Sequence, residues 1–138
     1  GQRYASLYYI GTQEELLVPI NVWGFVSRPG QYMIPYETDL LSLLSYAGGP
    51  TEDAKISEVR IVRNSEEAGN QVIVVDLKKY LETADPRLIP ILEPGDTVVV
   101  KATAFHWINK FFGFISRLAI LAQMFYFVGR GVEIFEGN

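Results

Sequence analysis

Three clusters of proline and glycine punctuate the first hundred residues: Pro29-Gly30, Gly48-Gly49-Pro50 and Pro94-Gly95-Asp96. Proline fixes φ and glycine reaches positive φ, so each cluster marks a turn or a stop. The pieces between them are short. Residues 20–26 (INVWGFV) alternate apolar with small or polar side chains and read as a strand, and after the Ser27–Gly30 turn residues 31–35 return as its hairpin arm. Thr38 or Asp39 then stands as N-cap to a helix carrying Leu40, Leu41, Leu43, Leu44 and Ala47, which Gly48-Gly49-Pro50 ends. Residues 57–63 (SEVRIVR) form a strand with one buried face. Residues 65–70 are a polar connection to a partner strand at 71–77, residues 78–83 a short helix, and 97–101 the last strand.

This order is hairpin, helix, hairpin, short helix, strand. One helix crossing a mixed sheet of four or five strands gives an α+β fold of β-grasp type. The Leu-rich helix counts against the alternative, a small β-barrel.

The chemistry the residues exclude is informative. Residues 1–104 carry nine Lys/Arg against fourteen Asp/Glu, whereas 105–138 carry three against two. A domain of net −5 lacks the basic face that phosphate neutralisation requires, so nucleic acid is not an expected partner. There is no cysteine, which removes disulfides, thiolate catalysis and Cys-based zinc sites. His106 is the only histidine, and it stands beside Trp107 with Lys110 as its nearest titratable neighbour at helical spacing. Glu52-Asp53 and Glu66-Glu67 are adjacent loop carboxylates that point apart. Gly48-Gly49-Pro50 follows a helix, the wrong end for anion capture. Asp76 has no visible partner. The expectation is a protein that is not an enzyme and has no catalytic, cofactor or metal site.

Several elements, in this order, resemble the SLBB family, the soluble-ligand-binding β-grasp domains of outer-membrane polysaccharide export proteins. They are Val22-Trp23-Gly24-Phe25-Val26 with Arg28-Pro29-Gly30, then Tyr32 and Pro35, the helix closing on Ala47-Gly48-Gly49, Ala54, the VRIVR strand, Val75-Asp76-Leu77, and residues 92–100 around Pro94-Gly95-Asp96. The similarity covers about residues 20–101. Gly24, Pro29, Gly30, Gly48, Gly49, Pro94, Gly95 and Asp96 are read as residues that specify the fold. Export proteins of this family carry a separate export domain ahead of the SLBB unit. Here only nineteen residues precede it, which implies a minimal member or an export domain supplied by another chain.

Residues 105–128 (FHWINKFFGFISRLAILAQMFYFV) have a different character. As a helix, 24 residues span about 36 Å, enough for a hydrocarbon core of about 30 Å. His106, Asn109, Lys110, Gly113, Ser116, Arg117 and Gln123 fall on one arc of about 140°. Trp107, Phe111, Phe114, Ile115, Leu118, Leu121, Ala122 and Phe125 take the other side. Arg117 lies near the midpoint, where a lipid-facing guanidinium costs about 2.5–3.5 kcal/mol. A lone transmembrane anchor therefore fits poorly. The helix could instead lie in the membrane plane, or several copies could turn their polar arcs to a shared lumen. The resemblance favours the last, because it implies a ring of C-terminal amphipathic helices through the outer membrane. Lys110 and Arg117 would then form basic rings suited to an acidic polymer.

The expected organisation is an N-terminal extension (1–19), a β-grasp domain (20–104), an amphipathic membrane helix (105–128) and a C-terminal tail (129–138). The resemblance implies a homo-oligomeric ring in the periplasm and outer membrane. Its expected partners are membrane lipid, an exported polysaccharide, and a separate export-domain protein or inner-membrane copolymerase. The alternative is a membrane-anchored β-grasp binding module that conducts nothing. An accessory subunit of a redox enzyme is a weaker third reading, since the chain has no cysteine and no cofactor motif.

Overall fold

Alternation along the strands sorts side chains to two faces, and one face supplies the core. The structure is a computed structural model that describes residues 6–12 and 14–136, with side chains to Phe125. It divides into two compact units, Gly1–Thr103 and Ala104–Asn138. In the first, strands β1 (Leu7–Tyr9), β2 (Leu17–Gly24), β3 (Gly30–Pro35), β4 (Ala54–Ser65), β5 (Gly69–Val75) and β6 (Thr97–Ala102) form one sheet, ordered β1-β3-β2-β6-β4-β5. Helix α1 (Leu40–Tyr46) follows β3, and α2 (Leu77–Thr83) follows β5.

The centre of the sheet is a parallel pair, β2 with β6, and each of these strands is flanked by an antiparallel neighbour. Register aligns Tyr32 with Ile20, Val22 with Val98, and Val98 with Ile61, and all of these are buried. Leu40, Leu43 and Leu44 of α1 close the same cluster. Each such side chain contributes about 1.5–3 kcal/mol by leaving water. The domain is β-grasp-like, with its helical layer on one face of the sheet.

The structure revises several boundaries. The sheet has six strands, because β1, which lies in the expected extension, adds in parallel to β3 through Tyr8 stacked on Tyr32 at 4.6 Å between ring centroids. Strand β2 runs from Leu17 to Gly24 rather than over 20–26. Val26 instead bridges Pro50. Strand β4 extends to Ala54–Ser65, so the polar connection shrinks to a turn at 66–68. Ala47 is the C-cap of α1, not a helical residue. Leu77 belongs to α2 rather than to β5, because Asp76 caps that helix by accepting from the Lys79 N–H at 3.0 Å. The expected lone Asp76 therefore has a partner.

The second unit is one helix, α3 (Ala104–Glu136), of 33 residues and thus about 50 Å of axis. It passes the expected end at 128 and takes in most of the expected tail.

Candidate functional site

Three surfaces of the molecule could meet a partner. Their construction begins with the turns that hold the domain together.

Asp39 caps α1 by accepting from the Ser42 N–H at 2.7 Å, which settles the choice between Thr38 and Asp39. At the other end Gly48 and Gly49 both take positive φ, and their N–H groups donate to Ser45 and Leu44 carbonyls at 3.1 and 2.7 Å. This is a Schellman closure. The Ser27-Arg28 turn completes it. The Ser27 hydroxyl donates to the Gly48 carbonyl at 3.0 Å, the Arg28 backbone to the Ala47 carbonyl at 2.9 Å, and the Arg28 guanidinium to the Tyr46 carbonyl at 2.8 Å. The Arg28-Pro29-Gly30 motif thus holds the first hairpin to the helix end. The Tyr32 hydroxyl donates to the Arg28 carbonyl at 2.5 Å, and burial, with Tyr8 adding to it, pushes the Tyr32 phenol up from its ordinary 10.0.

Gly24 has φ of +100°, and a Cβ there would collide with the Val100 carbonyl oxygen. Only glycine lets β2 pass so close to β6, where the Phe25 N–H donates to that same oxygen at 2.9 Å.

Asp96 is the one buried charged residue among those described. Its carboxylate accepts a fork from Arg63, at 3.0 Å from Nε and 2.9 Å from the terminal nitrogen, and also accepts from the Glu93 N–H at 2.8 Å. The hydrogen bond to Asp96 raises the Arg63 guanidinium above its ordinary range, and the Glu93 carboxylate at 3.4 Å adds to this. The expectation gave Asp96 only a turn role. Its ion pair joins residues 33 positions apart, and no local spacing announces it.

The first candidate surface is an apolar groove of about 420 Å³ between the two short helices. Leu41 and Ser45 of α1, Ala54 and Ile56 of β4, and Tyr80 and Leu81 of α2 line it. Its size suits a small ligand. Sequence reasoning missed it, because it forms between two helix faces distant in the chain. The second surface is the sheet face opposite α1, with the exposed Trp23 beside a shallower cleft of about 400 Å³. Among the described residues no cluster of His, Cys, Asp and Glu is placed to hold a metal ion.

The third surface is α3. Every described side chain on it is exposed except the half-buried His106. His106 packs edge-on against Trp107 at 5.0 Å between centroids, and Lys110 Nζ lies 5.3 Å from the Trp107 ring centroid. The helix aligns Asn109, Gly113, Ser116 and Arg117 with His106 and Lys110 on one arc. The arc is less uniform than expected, since Ile120 and Met124 fall on it at 100° per residue. Polar side chains thus concentrate before residue 118, with Gln123 the exception. Trp107, Phe111, Phe114, Ile115, Leu118, Leu121 and Phe125 share the opposite side and are exposed. Among the described residues no helix is long and apolar enough to cross a membrane.

A family model described as SLBB domain matches residues 19–100, running from the middle of β2 to the Val98–Val100 core of β6. The chain belongs to the SLBB domain family. No curated protein matches it. Within the SLBB domain the matched segment takes in Gly24, the Arg28-Pro29-Gly30 turn, both glycines of the α1 closure and the Asp96 fork. These residues are spent on the fold. Membership points to a ligand- or polysaccharide-binding module as the class of function.

Proposed function

We propose that this chain is a non-enzymatic structural subunit of a polysaccharide export translocon. SLBB domains of identical chains associate in the periplasm, and the α3 helices gather at the outer membrane with the His106–Arg117 arc toward a shared lumen. The observation that carries this reading is α3 itself. It is a 33-residue helix whose described aromatic face is exposed, joined directly to a domain of the SLBB family. Exposed Phe and Trp at this density need lipid or another protein. The lack of a described helix apolar enough to cross a membrane weighs against a lone anchor. A stave in a ring hides its polar arc from lipid and need not be apolar all round, and Arg117 then faces water.

The partners in this reading are copies of the chain, outer-membrane lipid, the exported glycan, and an export-domain protein or inner-membrane copolymerase. Nucleic acid has no place in it. Mass measurement of the chain in detergent tests it. A closed ring of identical chains is expected, and a stable monomer overturns the pore. Conduction of an acidic glycan in preference to a neutral one, through rings reconstituted in vesicles, tests the basic arc.

The groove between α1 and α2 favours a second reading, a membrane-anchored module that docks a ligand without conducting. A monomer whose groove binds a small ligand, weakened by Leu81→Asp, supports that reading instead.

A further inference from the structure

Both free edges of the sheet carry large apolar side chains on the same face. Leu7 and Tyr9 of β1 are 49% and 67% exposed, and Val72 and Val74 of β5 are 59% and 57% exposed. Register fixes this parity. Tyr8 pairs with the buried Tyr32, so its neighbours Leu7 and Tyr9 lie on the opposite face. Ile73 pairs with the buried Ile61 and packs on the core, so Val72 and Val74 lie on the opposite face too. This is the face that α1 leaves uncovered.

Among the described residues neither edge is protected in the usual way. Sheets blunt free edges with Lys, Pro, bulges or inward charges. Residues 69–75 read GNQVIVV and residues 6–10 read SLYYI, without a charge or a proline. On β1 the Ser6 carbonyl accepts from the Gln31 N–H at 2.8 Å, and the Ile10 N–H donates to the Met33 carbonyl at 2.9 Å. Alternation along a parallel pair then turns the backbone groups of Leu7 and Tyr9 outward, away from β3.

Strand directions complete the match. β1 runs with β3, β2 against β3, β6 with β2, β4 against β6, and β5 against β4. β1 and β5 therefore point in opposite directions. Copies related by rotation about an axis along the strands bring β5 of one against β1 of the next, antiparallel, with the uncovered face on the same side throughout. Val72 and Val74 then meet Leu7 and Tyr9 of the neighbour, uncharged edge against uncharged edge. Pairing β5 with β5 across a two-fold axis would leave β1 bare. Joining unlike edges uses both, and a contact of that kind makes a ring when its rotation closes.

We propose that the occupant of the β5 edge is β1 of a second copy of this chain, paired antiparallel, so that one sheet continues from subunit to subunit. The proposal rests on the homo-oligomeric reading above and names the contact that reading leaves open.

The chain has no cysteine, so introduced pairs report cleanly. Within one chain the two edges lie about 24 Å apart, five inter-strand spacings, too far for a disulfide. Full-length chains carrying Val72→Cys or Val74→Cys together with Leu7→Cys or Tyr9→Cys are oxidised in detergent. The expected result, in at least one of the four combinations, is a covalent ladder that climbs to the ring mass, while each single variant gives no ladder. A dimer from Val74→Cys or Val72→Cys alone overturns the proposal in favour of two-fold pairing. A ring by mass with no ladder in any combination overturns the edge contact and leaves the export reading standing. A monomer by mass overturns both. Val72→Lys with Val74→Lys, which places charge on the edge without touching the core, is expected to weaken association at least tenfold. Unchanged association counts against the proposal.

Discussion

The domain and the helix treat their side chains in opposite ways. In the SLBB unit the motif residues find their partners inside the same chain: Arg28 on the last carbonyls of α1, Asp39 and Asp76 on helix N–H groups, Asp96 in the fork of Arg63. Along α3 the described side chains other than His106 are exposed, and Lys110 lies over the Trp107 ring. A region whose groups are internally satisfied is built to persist alone. One whose large apolar groups face outward is built to be completed by something else. The family resemblance therefore lies in the residues that hold the domain, while the functional burden falls on surfaces where recurring motifs give little guidance.

Substitutions can break this contrast, and the largest effect is expected at Asp96. Asp96→Ala strands the Arg63 guanidinium and the Glu93 N–H in a part-buried setting, at an expected cost of about 3–5 kcal/mol in urea unfolding. A loss below about 1 kcal/mol would mean that the fork is not holding the turn to the sheet. Next comes Gly24→Ala, expected to cost about 1–3 kcal/mol from positive φ alone, with the Val100 clash in addition. Asp39→Ala should remove about 1 kcal/mol, because the Ser42 N–H loses its acceptor.

A pH effect sharpens the same side of the comparison. Folding raises the Tyr32 phenol above 10.0, so the folded state holds its proton where the unfolded chain gives it up. That contribution is fully present below pH 10 and is lost as pH rises through the folded value. Unfolding midpoints should fall steeply above about pH 10, and less steeply in Tyr32→Phe. The smallest effect is expected from Arg117→Leu. The unfolding midpoint of the SLBB domain should not move, because the two regions form separate compact units. What should change is mass in detergent or partitioning into vesicles. A shifted midpoint would show that α3 packs on the domain and that the contrast is false.

Much of the fold was legible from side-chain period and punctuation. Alternation marked the strands at 20–26 and 57–63, and the turns beside them placed the three strands at 31–35, 71–77 and 97–101. Gly48-Gly49-Pro50 marked the end of α1, because only glycine takes two successive positive φ values cheaply. Other parts were opaque for physical reasons. The three residues of β1 are too few to show a period, and their stacking on Tyr32 is a tertiary contact. Strand and helix exchange Leu77 because the capping carboxylate of Asp76, not hydrophobicity, decides the boundary. The helix expected over 105–128 continues to Glu136 through the glycines at 129 and 131, because glycine weakens a helix by only about 1 kcal/mol and does not forbid it. Both candidate surfaces on the domain were invisible, since the groove between α1 and α2 and the sheet face opposite α1 exist only after folding.

The central pairing of β2 with β6 has a kinetic consequence. Asn21 meets Thr97 and Gly24 meets Val100, so the innermost strand of the sheet is the last that the ribosome makes. Until residues 97–100 emerge, neither hairpin has the neighbour that joins it to the other half. Long loops must close before that contact repays them, which slows folding relative to a chain of local contacts. The two halves of this SLBB sheet can therefore be joined only once its last strand has been made.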